Sequence, residues 1–240
     1  MILAAGYGTR LKPITDTIPK ALVPVGGTPM LEHILLKMKA SGFTHIIINI
    51  HHFGEQIINF LSANNNFGLT IDISDERESL LDTGGGIKQT SRFLNGNEPF
   101  LVHNVDIFSN VDLNAMYLSH LKTNALVTLL VSHKWKPRQL LFNREELLCG
   151  WRNHDTGDVR SFLPDFDPSK YEDYAFGGVH VISPTIFPLM DEWRTPFSII
   201  SFYLKACIQN PIRLYTEDKL RLIDAGTVKG IQEASLFYCA

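Results

Sequence analysis

Arg10 closes the opening segment "MILAAGYGTR", where a short apolar run breaks into two glycines and Thr9 before a guanidinium. Glycines let backbone N–H groups approach an anion closely, and Thr9 and Arg10 add a hydroxyl donor and a forked cation. Gly6, Gly8, Thr9 and Arg10 therefore have the chemistry of a phosphate cradle. Lys20 follows in "IPKALVPV", between Pro19 and an apolar run. Two acids close apolar runs much further on, Asp106 in "LVHNVD" and Asp224 in "LRLID". Such acids commonly serve as caps or turn residues. The glycines have two other readings. One is a tight turn that meets no ligand. The other is a dinucleotide-binding turn, but "GYGTRL" places Leu11 where that fingerprint needs a third Gly or Ala, and "THIIINI" ends without an acid to hold a ribose.

Strands and helices must position these residues. "MILAA" reads as a short buried strand ending at Gly6. In "PMLEHILLKMKASG" the apolar positions 30, 31, 34, 35 and 38 have helical spacing, and Gly42 stops the helix. "THIIINI" is a β-branched run suited to a strand buried on both faces. "EQIINFLSANN" predicts a helix, "LTIDIS" a strand, "GGGIKQTSRFL" a helix entered through Gly84, Gly85 and Gly86, and "PFLVHNVD" a buried strand. "VDLNAMYLSHLKT" and "ALVTLLVS" continue the alternation, which argues for βαβ units and a mostly parallel sheet. "QLLFNREELLCGWRN", "GDVRSFL" and "YAFGGVHVIS" read instead as an antiparallel extension, roughly 135–182. Helix, strand, strand and helix then close the chain. The 240 residues are expected to form one α/β domain, because no linker-like stretch interrupts them. In an open parallel sheet, ligands bind beyond the carboxyl ends of the strands, where "GYGTR" falls.

Composition narrows the function classes. A net charge of −3 gives no basic footprint, so no nucleic-acid partner is expected. Cys149, Cys207 and Cys239 are odd in number and widely spaced, which argues against a disulfide framework or structural zinc. No signal peptide and no membrane-length apolar run is visible, so a cytoplasmic protein without a membrane partner is the expectation. His51 and His52 read as strand-end residues and His103 as core. The aromatic residues from Trp151 to Phe176 read as packing for the extension.

Taken together, "LAAGYGTRLKPIT", "PKALVPVGGTPML", "LLDTGGGI", "HNVDIFSN" and "LIDAGT" resemble, in order and spacing, the sugar-1-phosphate nucleotidyltransferases over nearly the whole chain. The resemblance implies a Rossmann-like sheet sandwiched by helices. It also implies transfer of a nucleoside monophosphate from a nucleoside triphosphate to a sugar 1-phosphate, with release of pyrophosphate. On the family pattern Arg10 faces the β- and γ-phosphates, the backbone from Gly6 to Thr9 wraps the triphosphate, and Lys20 reaches the phosphates from the sugar side. Asp106 and Asp224 match the metal pair, and two carboxylates plus phosphate oxygens suit Mg²⁺. Leu3, Ala4, Ala5, Thr83 and Gly84 match the nucleoside contacts, and Asn104 lies near nucleoside or sugar. The resemblance makes the antiparallel extension, roughly 135–182, the sugar-binding part, with Gly178 a sugar-side position. "LLDTGGGI" looks most like N-acetylmuramate-1-phosphate uridylyltransferases, with mannose- and heptose-1-phosphate guanylyltransferases next. The donor is therefore UTP or GTP, and a catalytically silent nucleotide sensor is a further alternative. Three features depart from the pattern. Val105 stands where the family usually has glycine, and "GWRNHDTGD" replaces a lysine-bearing "EKP" segment, so no sugar-side lysine carries over. Met1 lies only two residues before Leu3, which predicts a short first strand or a chain start that is truncated.

Overall fold

The computed structural model describes residues 1–134 and 136–238; Cys239 lies outside them. In chain order the elements are β1 (Ile2–Leu3), β2 (Pro24–Val25), β3 (Thr28–Pro29), α1 (Met30–Ala40), β4 (His45–Ile50), α2 (Gly54–Ala63) and β5 (Thr70–Asp75). Then come α3 (Asp82–Gln89), α4 (Ser91–Leu94), β6 (Phe100–Asn104), β7 (Ile107–Ser109), α5 (Leu113–Leu121), β8 (Val127–Ser132), β9 (Arg138–Phe142), β10 (Leu148–Asn153) and β11 (Val159–Arg160). The chain ends with β12 (Glu172–Ile182), α6 (Ile186–Leu189), α7 (Ile199–Ala206), β13 (Ile212–Tyr215), β14 (Leu222–Asp224) and α8 (Val228–Tyr238). These form two compact units.

The first unit comprises Met1–Leu81, Val102–Asn114 and the segment from Arg221 onward. Its sheet is parallel: β1 lies between β6 and β4, and β4 pairs with β5 in register from His45 opposite Thr70 to Ile50 opposite Asp75. The β-branched run of β4 is buried from Ile46 to Ile50, as a strand covered on both faces should be. The apolar stripe of α1 (Met30, Leu31, Ile34, Leu35, Met38) is likewise buried. Beyond the sheet, β7 pairs antiparallel with β14, with Ile107 opposite Asp224. That short ribbon brings the two acids together.

The second unit comprises Asp82–Leu101 and Ala115–Leu220. Here β8 pairs with β13 in parallel and with β12 antiparallel, and β12, β9, β10 and β11 continue antiparallel. The expected antiparallel extension falls in this unit. Of "GDVRSFL", only Val159–Arg160 is strand. The three glycines do not precede a helix: α3 begins at Asp82, and Gly84, Gly85 and Gly86 are buried inside it. Packing overrides helix propensity there, because a Cβ on Gly84 would sit 2.3 Å from the Phe197 ring. Cys149 and Cys207 are free thiols. Among the described residues no helix is long and apolar enough to cross a membrane.

Candidate active site

After β1 the chain leaves the sheet, and Gly6 and Thr9 stand exposed with Gly8 half-buried. Gly8 has φ 65°, and a Cβ there would meet Thr15 Cγ2 at 2.8 Å and Lys20 Cβ at 3.1 Å. Only glycine fits this left-handed, crowded point. The Gly8 carbonyl accepts from Leu11 N and from Thr15 Oγ1, both at 2.8 Å, closing the turn Thr9–Leu11 over buried Leu11 and Thr15. Gly6 is different: a Cβ there would meet nothing within 4 Å. Open space therefore borders the backbone at the start of the loop.

The loop is anchored by residues whose role the sequence did not reveal. Ala4 N donates to Asn49 Oδ1 at 2.7 Å, and Asn49 Nδ2 donates to Glu76 Oε1 at 2.7 Å. The other Glu76 oxygen accepts from Leu81 N at 3.1 Å. A buried carboxylate with such donors holds three chain segments in one arrangement. An asparagine inside the apolar β4 run was the available signal.

Asp106 lies in the turn after β6 rather than at its end, with its carboxylate buried; Asp224 ends β14 as expected. Lys20 Nζ donates to Asp106 Oδ2, and both side chains are largely buried. Arg10 Nη2 lies 3.6 Å from Asp224 Oδ1 and 4.0 Å from Asp106 Oδ2, with 57% of its side chain exposed. Its head is thus free to move onto a ligand. Gly226 completes the cluster. A Cβ on it would lie 2.3 Å from Arg10 Nη2, 2.8 Å from Asp224 Oδ1 and 2.9 Å from Asp106 Oδ2. Two carboxylate oxygens and a guanidinium therefore surround one point in front of the Gly226 backbone. Gly226 lies in "LIDAGT", where its residue type alone indicates no role. Val105, in place of the family's usual glycine, is buried and donates its N–H to Leu3 O at 3.1 Å. Asn104 ends β6 half-buried, two residues from Asp106.

This cluster can be tested as a cation site. Among the described residues no group of three or more His, Cys, Asp or Glu side chains is arranged to hold a metal. Two carboxylates converging on one point do fit Mg²⁺, which takes one or two carboxylates plus substrate phosphates and keeps water ligands.

The second unit holds Thr83, Gly84 and Gly178. Thr83 Oγ1 accepts from Ile199 N at 3.0 Å, and the N–H groups of Gly84 and Gly85 donate to Phe197 O at 2.9 and 3.3 Å. These N–H groups are committed to the segment leading into α7. Gly178 has φ 68°, in the stretch between Phe176 and His180 where β12 shifts register against β8. A β-bulge glycine is required there by the backbone itself. His51 and His52 follow β4 and pack against Tyr7, with ring centroids 5.0 and 5.6 Å away. His103 is fully buried, and burial lowers its pKa to about 3, so it is neutral.

The family model for nucleotidyl transferases matches residues 1–165. N-acetylmuramate alpha-1-phosphate uridylyltransferase of Neisseria meningitidis is 39% identical over 191 residues, covering 78% of this chain and 76% of that protein. The Caulobacter vibrioides protein of the same name is 34% identical over 216 residues, covering 85% and 81%. Among solved structures, HddC from Yersinia pseudotuberculosis complexed with GMP-PN superposes with a TM-score of 0.74 at 20% identity, covering 99% of this chain and 97% of that one. That last likeness speaks for the fold.

Proposed function

We propose that this chain, which belongs to the nucleotidyl transferase family, is a cytoplasmic, Mg²⁺-dependent N-acetylmuramate 1-phosphate uridylyltransferase. A phosphate oxygen of the sugar 1-phosphate attacks the α-phosphorus of UTP, the bond to the bridging oxygen breaks, and pyrophosphate leaves. The observation that carries the reading is the meeting of Arg10, Asp106 and Asp224 around one point beside Gly226, with Lys20 held on the Asp106 carboxylate. Joining two polyanions needs positive charge held in place and no covalent chemistry by the protein. The choice of uracil and of muramate is supported by the names of the two relatives that match over most of both chains.

In this reading the Gly6–Thr9 backbone wraps the triphosphate, and Arg10 swings onto the β- and γ-phosphates to steady the leaving group. Lys20, fixed by Asp106, meets the attacking phosphate. Mg²⁺, held by Asp106 and Asp224, would neutralise developing charge on the phosphate oxygens. The nucleoside is assigned to Leu3, Ala4, Ala5, Thr83, Gly84 and Asn104, using atoms of Gly84 other than its N–H. Asn104 and Gly178 are assigned to the acceptor side.

Pyrophosphate release with Mg²⁺ across UTP, GTP, CTP and dTTP, each with N-acetylmuramate, mannose and heptose 1-phosphates, tests the proposal. The UTP and N-acetylmuramate 1-phosphate pair is expected to give the highest kcat/KM. A preference for GTP with mannose or heptose 1-phosphate would replace it with a guanylyltransferase. Nucleotide binding without turnover of any pair would make the chain a silent sensor.

A further inference from the structure

Between β4 and α2 the chain turns within three residues, His51, His52 and Phe53. Gly54 N donates to His51 O at 3.2 Å. A Cβ on Gly54 would sit 2.8 Å from Ile50 Cδ1 and 3.2 Å from Ile50 Cβ, so α2 starts hard against the end of β4. Phe53 takes φ 54°, a left-handed backbone that a bulky residue adopts only where its surroundings impose it. His51 Nδ1 is buried without a hydrogen-bond partner among the described residues. An aliphatic side chain would fill that space without stripping water from a nitrogen. Strain and a desolvated imidazole thus meet at one corner, and its neighbour is the opening loop.

The strand, the corner and the helix grip that loop at Ala4, Tyr7 and Thr17. Asn49, in β4, accepts from Ala4 N at 2.7 Å, and Gln56 Nε2, in α2, donates to Thr17 O at 3.0 Å. Between them the corner meets Tyr7, which stands between the two glycines. The Tyr7 ring is edge-on to His51, with an interplanar angle of 76°, and tilted 52° against His52. The His52 ring in turn packs on Phe53 with centroids 3.9 Å apart. Tyr7 is 46% exposed, so burial in the core does not hold it, whereas the histidine rings do. Gly8 follows directly, and its carbonyl closes the turn Thr9–Leu11 that carries Arg10.

We propose that the β4–α2 corner braces the triphosphate loop, with Tyr7 as the clasp and His51 and His52 as positioning residues that act through it. The inference rests on the uridylyltransferase reading for what the loop binds. A backbone that wraps a triphosphate loses freedom as it closes, and a loop already held in place loses less. The corner therefore contributes to donor affinity without touching the donor.

The test measures kcat and the KM values for UTP and N-acetylmuramate 1-phosphate in Tyr7→Ala, Tyr7→Phe, His51→Leu, His52→Ala and the Tyr7→Ala/His52→Ala double variant. Beside them runs the rate at which trypsin cleaves the native protein after Arg10, with circular dichroism to check folding. Tyr7→Ala is expected to raise the UTP KM about 3- to 10-fold, the worth of one or two aromatic contacts, while the acceptor KM holds. Cleavage after Arg10 should rise by a similar factor, since proteolysis follows the population of the open loop. Tyr7→Phe should restore both, because the contact is made by rings. His51→Leu and His52→Ala should move both in the same direction by less, and the double variant should be no worse than Tyr7→Ala. Should Tyr7→Ala fail to fold, His52→Ala carries the same two readouts. An unchanged UTP KM in the folded variant, or an equal rise in both KM values, overturns the proposal. So does a raised UTP KM with wild-type cleavage, which would put Tyr7 on the nucleotide itself, and so do losses that add in the double variant. A wild type that turns over no nucleotide overturns the uridylyltransferase reading instead, and the cleavage rates still decide whether the corner braces the loop.

Discussion

Gly226→Ala places one methyl group where the account needs an ion. The added carbon would lie 2.8 Å from Asp224 Oδ1 and 2.9 Å from Asp106 Oδ2. An ordinary carbon–oxygen contact needs more room, so each carboxylate must retreat by a few tenths of an ångström. Mg²⁺ tolerates little of this, because it demands near-octahedral geometry at about 2.0–2.1 Å. The methyl also takes up the volume between the two oxygens. Disturbing the shell of a metal site commonly costs about 10- to 100-fold in affinity or activity. Arg10, which would meet the methyl at 2.3 Å, is largely exposed and can swing away. The backbone is not the obstacle, since Gly226 is not among the residues at positive φ. The melting temperature should fall modestly without loss of the fold, since the crowded atoms are side-chain ends that can shift. The assay is pyrophosphate release titrated with Mg²⁺, beside a thermal melt. A folded variant with wild-type turnover and Mg²⁺ dependence would refute the claim that both carboxylates serve one ion.

Arg10→Ala should lower kcat/KM for the triphosphate by about 1.5–3 kcal/mol of transition-state stabilisation, read by steady-state kinetics; a change only in sugar-phosphate KM would move Arg10 to the acceptor. Gly84→Ala should destabilise the second unit by about 1–3 kcal/mol in urea denaturation, because the new carbon meets the Phe197 ring at 2.3 Å and its carbonyl oxygen at 2.8 Å. Burial lowers the pKa of His103 to about 3 and of His120 to about 4, from the ordinary 6.5. The unfolded chain takes up these protons below 6.5 while the folded protein refuses them, so stability is full above 6.5 and falls as pH drops toward 3–4. By pH 5 each histidine costs about 2 kcal/mol. Urea midpoints at pH 7 and 5 should differ less in His120→Gln than in the wild type.

Much of this was legible because the decisive residues interrupt apolar patterns. Asp224 closes a strand as read, and α1 and β4 follow their periodicities. Asp106 lies two residues beyond β6, since the strand yields to a turn that lets Ala225 N donate to the Asp106 carbonyl at 2.8 Å. The glycines of α3 were misleading because glycine disfavours helix interiors, and at Gly84 the reason is Phe197, more than a hundred residues away. Asn49 stood out in an apolar run, but its role was not legible, because its partners Ala4 and Glu76 are distant in sequence. Gly178, matched in sequence to the sugar side, also has a positive φ in the β12 bulge, a backbone demand that the sequence does not reveal and that substitution meets only with strain.

The most direct test of the central claim is pyrophosphate release from UTP and N-acetylmuramate 1-phosphate by Asp106→Asn, Asp224→Asn and the double variant, each across an Mg²⁺ titration. If both carboxylates hold one ion, each single variant nearly abolishes turnover while UTP still stabilises the folded protein. The double variant should then be little worse than the poorer single one, because groups acting as a unit are not additive. Near wild-type activity in either single variant, or losses that multiply in the double, would contradict the shared site.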